Sequence, residues 1–397
     1  MKILATADIF SARNFGGGTR HFLGACSSLA RRGHSVSAML PCLHDENILI
    51  SRFPEIDFIL YSAGDDTPSF TSTVLKSKTT FRNCIRTGGY DLLQLNQPRT
   101  SIGPALLGGG ISAPIVYHFQ SSWATEYQIK TEGSKNWQYH ARRLVEEAIL
   151  KKCSKALVLS EYVKDKLLST YRWVNPEAVK IISGGVDTTV FKPASDKKEV
   201  RCSIGLPADR PILFSARFFS PRYGISNLIN AMKIVAAKQP DVLLVLSGRG
   251  PQKSAMLKLA ADLGISKNIL FTDFIDEAVF PDYYRAADLF VLPTQELEGF
   301  GLVTIESLAC GVPVVGTPVG ATVEIFNRFD PSFLTPDASA EGIAEGILYW
   351  LNRYDELPDF GAKGREHVVA NYSWDVIAEQ LESFYLEAGR TPALYGK

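Results

Sequence analysis

Two doubly wound α/β domains are the architecture this sequence predicts, and three observations predict it. Short apolar runs alternate with amphipathic stretches along the chain, the pattern of parallel sheets with helices on both faces. The runs fall into two sets, separated by a polar segment with a proline, Phe191 to Lys198. At 397 residues the chain is long for one hydrophobic core and comfortable for two. Two Rossmann-like domains facing each other across a cleft are therefore expected, and clefts between domains are where ligands bind.

The first set of apolar runs predicts strands at Ile3–Ala7, Ser35–Leu40, Phe58–Tyr61, Leu92–Leu95, Ile115–Phe119, Ala156–Leu159 and Val179–Ile182. The second predicts them at Ile212–Ser215, Val242–Ser247, Ile269–Phe271, Leu289–Leu292 and Val312–Gly316. Each is a short aliphatic stretch of the kind buried on both faces. An amphipathic pattern from Trp374 to Leu386 predicts a last helix. The expected division is residues 1–192, 193–372 and a tail of 373–397 that packs back toward the first domain. No short-period repeat or low-complexity tract interrupts it.

Hydrophobic content of 46% with 21% charged residues describes an ordinary globular protein. No run of about 18 apolar residues predicts a membrane span. The N-terminal MKILATADIF is short, strand-like and interrupted by Asp8, so no signal peptide is expected. Cys26, Cys42, Cys84, Cys153, Cys202 and Cys310 form no CxxC pair, which favours buried thiols in a reducing compartment over disulfides or a zinc site. A cytoplasmic location follows as an expectation.

Charge is less even than its total suggests. Residues 1–192 hold 23 Lys and Arg against 16 Asp and Glu, and the remainder is acidic to the same extent, so the halves are expected to meet different partners. Lys76, Lys78, Arg82 and Arg86 lie among Val74, Leu75, Phe81 and Ile85. That stretch reads either as a solvated helix face or as peripheral contact with an anionic membrane or an acidic lipid-linked acceptor.

The most informative block is ELEGFGLVTIESLACGVPVVGTPVGATVEIF, from Glu296 to Phe326. Glu298 and Glu306 stand eight positions apart around a Gly-Phe-Gly-Leu turn that follows a predicted strand. A helical pattern of Leu302, Ile305, Leu308 and Ala309 comes next, stopped by Gly311 and Pro313. The amides of Gly301, Leu302 and Val303 then stand at a helix N-terminus, suited to a diphosphate. The two carboxylates are acceptors for sugar or ribose hydroxyls, and together they suggest the donor site of a nucleotide sugar.

Motifs in order and spacing carry a resemblance over nearly the whole chain. They are GGGTRHF…LARRGHSV (Gly16 to Val36), SEYVKDKL (Ser160 to Leu167), SGGVDTTVFKP (Ser183 to Pro193), SARFFSPRYGISNLINAM (Ser215 to Met232), LVLSGRGP (Leu244 to Pro251) and FTDFIDEAVFPDYYRAADLFVLPT (Phe271 to Thr294), followed by the block above. In these the chain resembles the retaining glycosyltransferases of the GT-B fold, sequence family 4. The resemblance makes residues 1–192 the acceptor side and 193–372 the nucleotide-sugar domain.

It also implies roles. Arg217 and Arg222 would neutralise the departing nucleoside diphosphate, a task this family performs with fixed cations and no bound divalent metal. The chain contains no Asp-x-Asp pair. Glu298 would hold donor-sugar hydroxyls beside the amides of Phe300, Gly301 and Leu302, and Glu306 the ribose hydroxyls. Gly248 and Gly250 fit a turn where backbone nears the nucleotide, although a strand-exit turn also explains them. Around Phe274 and Ile275 the family packs the base.

In the first domain Gly16, Gly17 and Gly18 follow the first strand without the GxGxxG spacing of a dinucleotide fingerprint. The resemblance lays this loop over diphosphate and acceptor. Where the family commonly has a histidine near the reacting carbon this chain has Gln120, with His118 two residues earlier and therefore on the same face of a strand. Gln cannot exchange a proton near neutral pH; His118 either supplies that group or is a core histidine. Asn96, Trp123 and Glu126 complete the expected acceptor side, and His34 reads as a turn residue.

The resulting expectation is a metal-independent retaining hexosyltransferase, with UDP-glucose as donor and no other cofactor. Its acceptor would be a glycan or lipid-linked oligosaccharide at the inner face of the plasma membrane, in exopolysaccharide or envelope assembly. A small soluble sugar acceptor, or a nucleotide-sugar-binding protein without transferase activity, are the alternatives, with an NAD-dependent dehydrogenase further off. No nucleic-acid partner is expected.

Overall fold

The computed structural model describes residues 1–9, 16–41, 46–62, 69–106, 113–131, 133, 136–388 and 394–395. They form two compact units, Met1–Gly185 with Trp374–Lys397, and Val186–Ser373. The division falls seven residues ahead of the 192/193 boundary expected. The segment after Gly185 is held within the second unit: Arg285 donates to the carbonyls of Val190 and Lys192, at 2.9 Å for the latter, and Arg365 to that of Phe191 at 3.2 Å.

The first unit is built on seven strands, β1 (Lys2–Thr6), β2 (Ser35–Pro41), β3 (Asp57–Tyr61), β4 (Leu92–Asn96), β5 (Ile115–His118), β6 (Lys155–Val158) and β7 (Val179–Ile181). They pair in the order β3-β2-β1-β4-β5-β6-β7. The second unit has β8 (Ile212–Ala216), β9 (Leu243–Ser247), β10 (Ile269–Thr272), β11 (Leu289–Leu292) and β12 (Val314–Gly316), in the order β10-β9-β8-β11-β12. Every pairing is parallel. Each predicted strand is present, with ends displaced by at most two residues. Nearly every strand residue of the central β1, β4, β8 and β11 is buried, as sheets covered on both faces require.

Strand order reverses at β1/β4 in one unit and at β8/β11 in the other. In doubly wound sheets the crevice outside the carboxyl ends of the strands at such a switch is the usual ligand position. The helix Trp374–Glu387 returns to the first unit, where Glu382 bonds Arg32 at 2.5 Å and His34 at 3.1 Å. His34 therefore fastens this helix as well as following a turn. Cys26, Cys84, Cys153 and Cys310 are buried free thiols and Cys202 is exposed; Cys42 lies outside the described residues.

Candidate functional site

At the β8/β11 switch the chain leaves β8 directly into Arg217 and leaves β11 through Pro293 into Thr294 and Glu298. Arg217 Nη2 donates to Thr294 Oγ1 at 2.5 Å and to Glu298 Oε2, while Thr294 Oγ1 donates to the same carboxylate oxygen at 2.8 Å. The ion-paired side chains are 8% and 10% exposed. In such surroundings a guanidinium–carboxylate pair is held rigidly, and breaking it leaves a buried charge. Arg217 Nε is buried with no hydrogen-bond partner among the described residues, so one donor of this cation is unspent.

The loop carrying Glu298 is fixed from two sides. Gln295 N donates to Arg222 O at 2.7 Å, and Ala321 N donates to Glu298 O at 2.9 Å. The helix Leu302–Ala309 then starts from Gly301, whose φ of 83° is a left-handed conformation that glycine adopts freely. A Cβ there would sit 3.8 Å from the Glu298 carboxyl carbon, so this carboxylate lies beside the helix N-terminus. Thr304 Oγ1, one turn in, is buried and unpartnered among the described residues. Cation, carboxylate and helix N-terminus thus converge, an arrangement that suits an anion bearing hydroxyl groups.

Other expected donor-side residues take more specific positions. Glu306 is 4% exposed and accepts from the Tyr284 hydroxyl at 2.8 Å. Phe300 is buried edge-on to Tyr372, with ring centroids 5.7 Å apart, so its side chain serves packing. Phe274 is 40% exposed, with the Arg249 guanidinium 5.4 Å from its ring, and Ile275 is buried. Leu302 and Val303 form the first turn of the helix. Gly248 and Gly250 need glycine because of the protein itself. A Cβ would lie 1.9 Å from the Arg217 carbonyl oxygen at one and 2.4 Å from that of Phe219 at the other. The close approach expected toward a nucleotide is thus already made to the β8 exit.

At the β1/β4 switch the groups are of another kind. Asp8 N donates to Gln97 Oε1 at 2.8 Å, and Thr100 N donates to Asp8 Oδ1 at 2.9 Å. Burial pushes the Asp8 carboxyl up to about 6 despite the Thr100 bonds and the nearby Arg99 charge. Gly16 caps the helix Gly17–Arg31. A Cβ on Gly18 would come within 2.7 Å of Gln120 Oε1 and 3.3 Å of Gln97 Nε2. Gln97, Gln120 and the glycine turn are therefore neighbours, and Gln120 Nε2 is buried without a partner among the described residues.

Asn96 departs from expectation, and His118 takes the second of its two expected roles. His118 and Gln120 both face the helix Gly17–Arg31, His118 beside His21 with ring centroids 6.2 Å apart and Gln120 beside Gly18 one turn earlier. His118 is 2% exposed, and its Nε2 lies 2.8 Å from the Tyr385 hydroxyl. That hydroxyl must donate to Gln94 Oε1, also at 2.8 Å, so Nε2 carries the imidazole proton. Burial, with His21 beside it, holds the ring well below the ordinary histidine range. It is a core histidine. Asn96 is likewise interior and ties β4 to β1 by donating to Thr6 O at 3.0 Å.

Trp123 is half-buried, stacked on Phe70 at 5.8 Å, with the Arg142 guanidinium 5.1 Å from its ring. Glu126 lies half-exposed one turn on. Beneath them Glu146 is fully buried and accepts from Ser122 Oγ at 3.2 Å, Trp123 N at 3.3 Å and Tyr171 Oη at 2.7 Å. Burial pushes its carboxyl up to about 7. Asp8, Gln97, Glu146, Thr294 and Thr304 were absent from the residues singled out by sequence. Only the polar residues directly after strands β1, β4 and β11 offered a local signal for any of them.

Two family models match the chain, "Glycosyl transferases group 1" over residues 196–367 and "Glycosyltransferase Family 4" over residues 15–190. A GDP-mannose-dependent alpha-(1-6)-phosphatidylinositol monomannoside mannosyltransferase of Mycobacterium tuberculosis is 28% identical over 234 residues, 57% of this chain and 60% of that protein. The chain thus aligns with about three fifths of that relative's length. A D-inositol 3-phosphate glycosyltransferase of Mycobacteroides abscessus is 28% identical over 355 residues, 88% of this chain and 75% of that one. Among solved structures, sucrose-phosphate synthase from Thermosynechococcus elongatus superposes with a TM-score of 0.80 at 25% identity, covering 97% of this chain and 98% of that one.

Proposed function

We infer the reaction from one premise: this chain belongs to the glycosyltransferases of the GT-B fold. Our reading is a retaining hexosyltransferase that takes its sugar from a nucleotide donor and passes it to a hydroxyl of a glycan or lipid-linked acceptor. The observation that carries it is the cluster of Arg217, Thr294 and Glu298 against the N-terminus of the helix Leu302–Ala309. Arg217 and Arg222 hold the diphosphate, Glu298 a sugar hydroxyl, Glu306 the ribose, and the exposed Phe274 ring the base.

In the proposed step the acceptor oxygen attacks the anomeric carbon from the side the diphosphate leaves. One carbon–oxygen bond forms as the other breaks, the acceptor proton passes to the leaving phosphate, and Arg217 and Arg222 stabilise the charge that develops. No side-chain base is demanded, consistent with Gln120 near the glycine turn and His118 in the core. Fixed guanidiniums take the role a divalent metal would otherwise fill. Among the described residues, no helix is long and apolar enough to cross a membrane. The helix Phe70–Gly88 exposes Leu75, Lys76, Arg82 and Arg86, the face we assign to peripheral contact with an anionic membrane.

Two donors compete. UDP-glucose is the expectation from sequence, and GDP-mannose is favoured by the name of a relative that is a mannosyltransferase. Thermal unfolding against UDP-, GDP- and ADP-sugars separates them, because a ligand at about 100 times its dissociation constant adds roughly 2.7 kcal/mol of stability. We expect a rise in midpoint with one base, and sugar transfer from that donor in a subsequent assay. No shift with any nucleotide sugar would overturn the donor-site assignment, and binding without transfer to any acceptor would leave only a nucleotide-sugar-binding protein.

A further inference from the structure

Between Arg217 and Arg222 stands a residue to which no role has been given. The guanidinium carbons of both arginines lie over the ring of Tyr223, at 4.7 Å for Arg217 and 4.4 Å for Arg222. Arg222 Nη2 also donates to the Tyr223 hydroxyl oxygen. Two cations converging on one anion site repel each other, and an aromatic face attracts both without neutralising either. Glu298 covers Arg217 with its carboxylate, and the ring serves both arginines at once.

The backbone fixes this ring in place. Residues Pro221–Tyr223 form one 3-10 turn closed by Tyr223 N donating to Ser220 O at 3.1 Å. The turn ends at Gly224, where a Cβ would lie only 1.8 Å from the Pro293 carbonyl oxygen. Gln295 N donates to Arg222 O, so the turn is pinned to the loop that carries Thr294 and Glu298. Tyr223 is thus held against both cations by main-chain contacts on the β8 and β11 sides of the switch point.

We propose that Tyr223 is a positioning residue for the diphosphate: its ring braces Arg217 and Arg222 in one orientation, and its hydroxyl, occupied as acceptor from Arg222, keeps its own proton for a phosphate oxygen. Because the hydroxyl accepts from the guanidinium, its O–H remains a donor directed away from Arg222. Arg217 Nε is also without a hydrogen-bond partner among the described residues. This rests on the donor-site reading above and adds a third residue to it.

The test compares the wild type with Tyr223→Leu and Tyr223→Phe, using binding of the nucleoside diphosphate that the wild type prefers and of the matching nucleoside, which lacks phosphates. We expect Tyr223→Leu to weaken nucleoside diphosphate binding about tenfold, the scale of two cation–aromatic contacts, and to leave nucleoside binding unchanged. Tyr223→Phe keeps the ring but loses the donor to phosphate, so it should recover only part of the loss, and full recovery would remove the hydroxyl from the proposal. Equal weakening of nucleoside and nucleoside diphosphate would make Tyr223 merely structural and overturn the proposal, as would Tyr223→Leu binding the diphosphate like the wild type. If the wild type binds no nucleoside diphosphate, the donor-site reading falls and this proposal with it. If it binds and Tyr223→Leu matches it, this proposal alone falls.

Discussion

The two strand-order reversals carry opposite chemistry. At β8/β11 the groups are charged and answered by one another: Arg217 by Glu298, and, at the other end of the same sheet, Arg201 and Lys197 by Asp288 at 2.7 and 3.0 Å. At β1/β4 they are mostly amides, with one histidine and one carboxyl, and no ion pair among them: Gln94, Gln97, Gln120, His118 and Asp8. Burial moves the titratable members toward their uncharged forms, His21 down to about 4, Asp8 up to about 6 and Glu146 up to about 7. The contrast follows from what each side is proposed to hold. A diphosphate needs fixed positive charge, whereas a hydroxyl needs hydrogen-bonding groups with no field to perturb it.

Removing the cation breaks the comparison most severely. Arg217→Ala should lower turnover by roughly 10²–10³, the loss typical when one charge-stabilising donor is deleted. It also strands the Glu298 carboxylate in a site 10% exposed, so the midpoint of unfolding should fall as well. The double variant Arg217→Ala with Glu298→Gln separates the two effects: stability should return and turnover should not. Full turnover in the single variant would take Arg217 out of the mechanism.

On the first side the comparison can be sharpened by pH. Glu146 is surrounded by Ser122, Trp123 N and the hydroxyl of Tyr171, with Tyr117 close by and the Arg143 charge acting on Tyr171. Its carboxyl stands near 7 against an ordinary 4.5, so between those values the folded protein binds more protons than the unfolded chain. Its contribution is full below about pH 4.5 and is lost as pH rises toward 7, by about 3 kcal/mol at most. Glu146→Gln cannot titrate. The midpoint of this variant should therefore gain on the wild type as pH rises from about 5 to about 7.5, with no such trend in the double variant Arg217→Ala with Glu298→Gln. Parallel pH curves for Glu146→Gln and wild type would show that the carboxyl titrates normally.

Strands were legible because burial on both faces leaves unbroken aliphatic runs, and Leu289–Leu292 is matched to the residue. The Glu298–Glu306 block was legible because strand, turn and helix signals fall within one short stretch. What escaped depends on residues far apart in the chain. Asp8 meets Thr100, Gly18 meets Gln97 and Gln120, and His118 meets Tyr385, none of which leaves a periodic trace. His118 and Gln120, two apart in sequence, both meet the helix Gly17–Arg31, one at His21 and the other at Gly18. Gly248 and Gly250 approach the β8 exit, which lies some thirty residues back in the chain.

The smallest effect on catalysis should come from the residue that chemistry alone would rank highly. His118 is the histidine nearest Gln120 in sequence, yet its Nε2–H is committed to Tyr385, which passes the bond on to Gln94. A ring held neutral in the core, with its pKa well below the ordinary range, has no proton to exchange with a substrate. His118→Gln should then leave turnover within about threefold of wild type while costing roughly 1–3 kcal/mol of stability, the scale of a buried polar group left unsatisfied. Its pH–rate profile should overlay that of the wild type, since no titrating group near the chemistry has been removed. A loss of a hundredfold in turnover with an unchanged unfolding midpoint would bring His118 back to the reacting carbon, and would erase the division between a charged donor side and a neutral acceptor side.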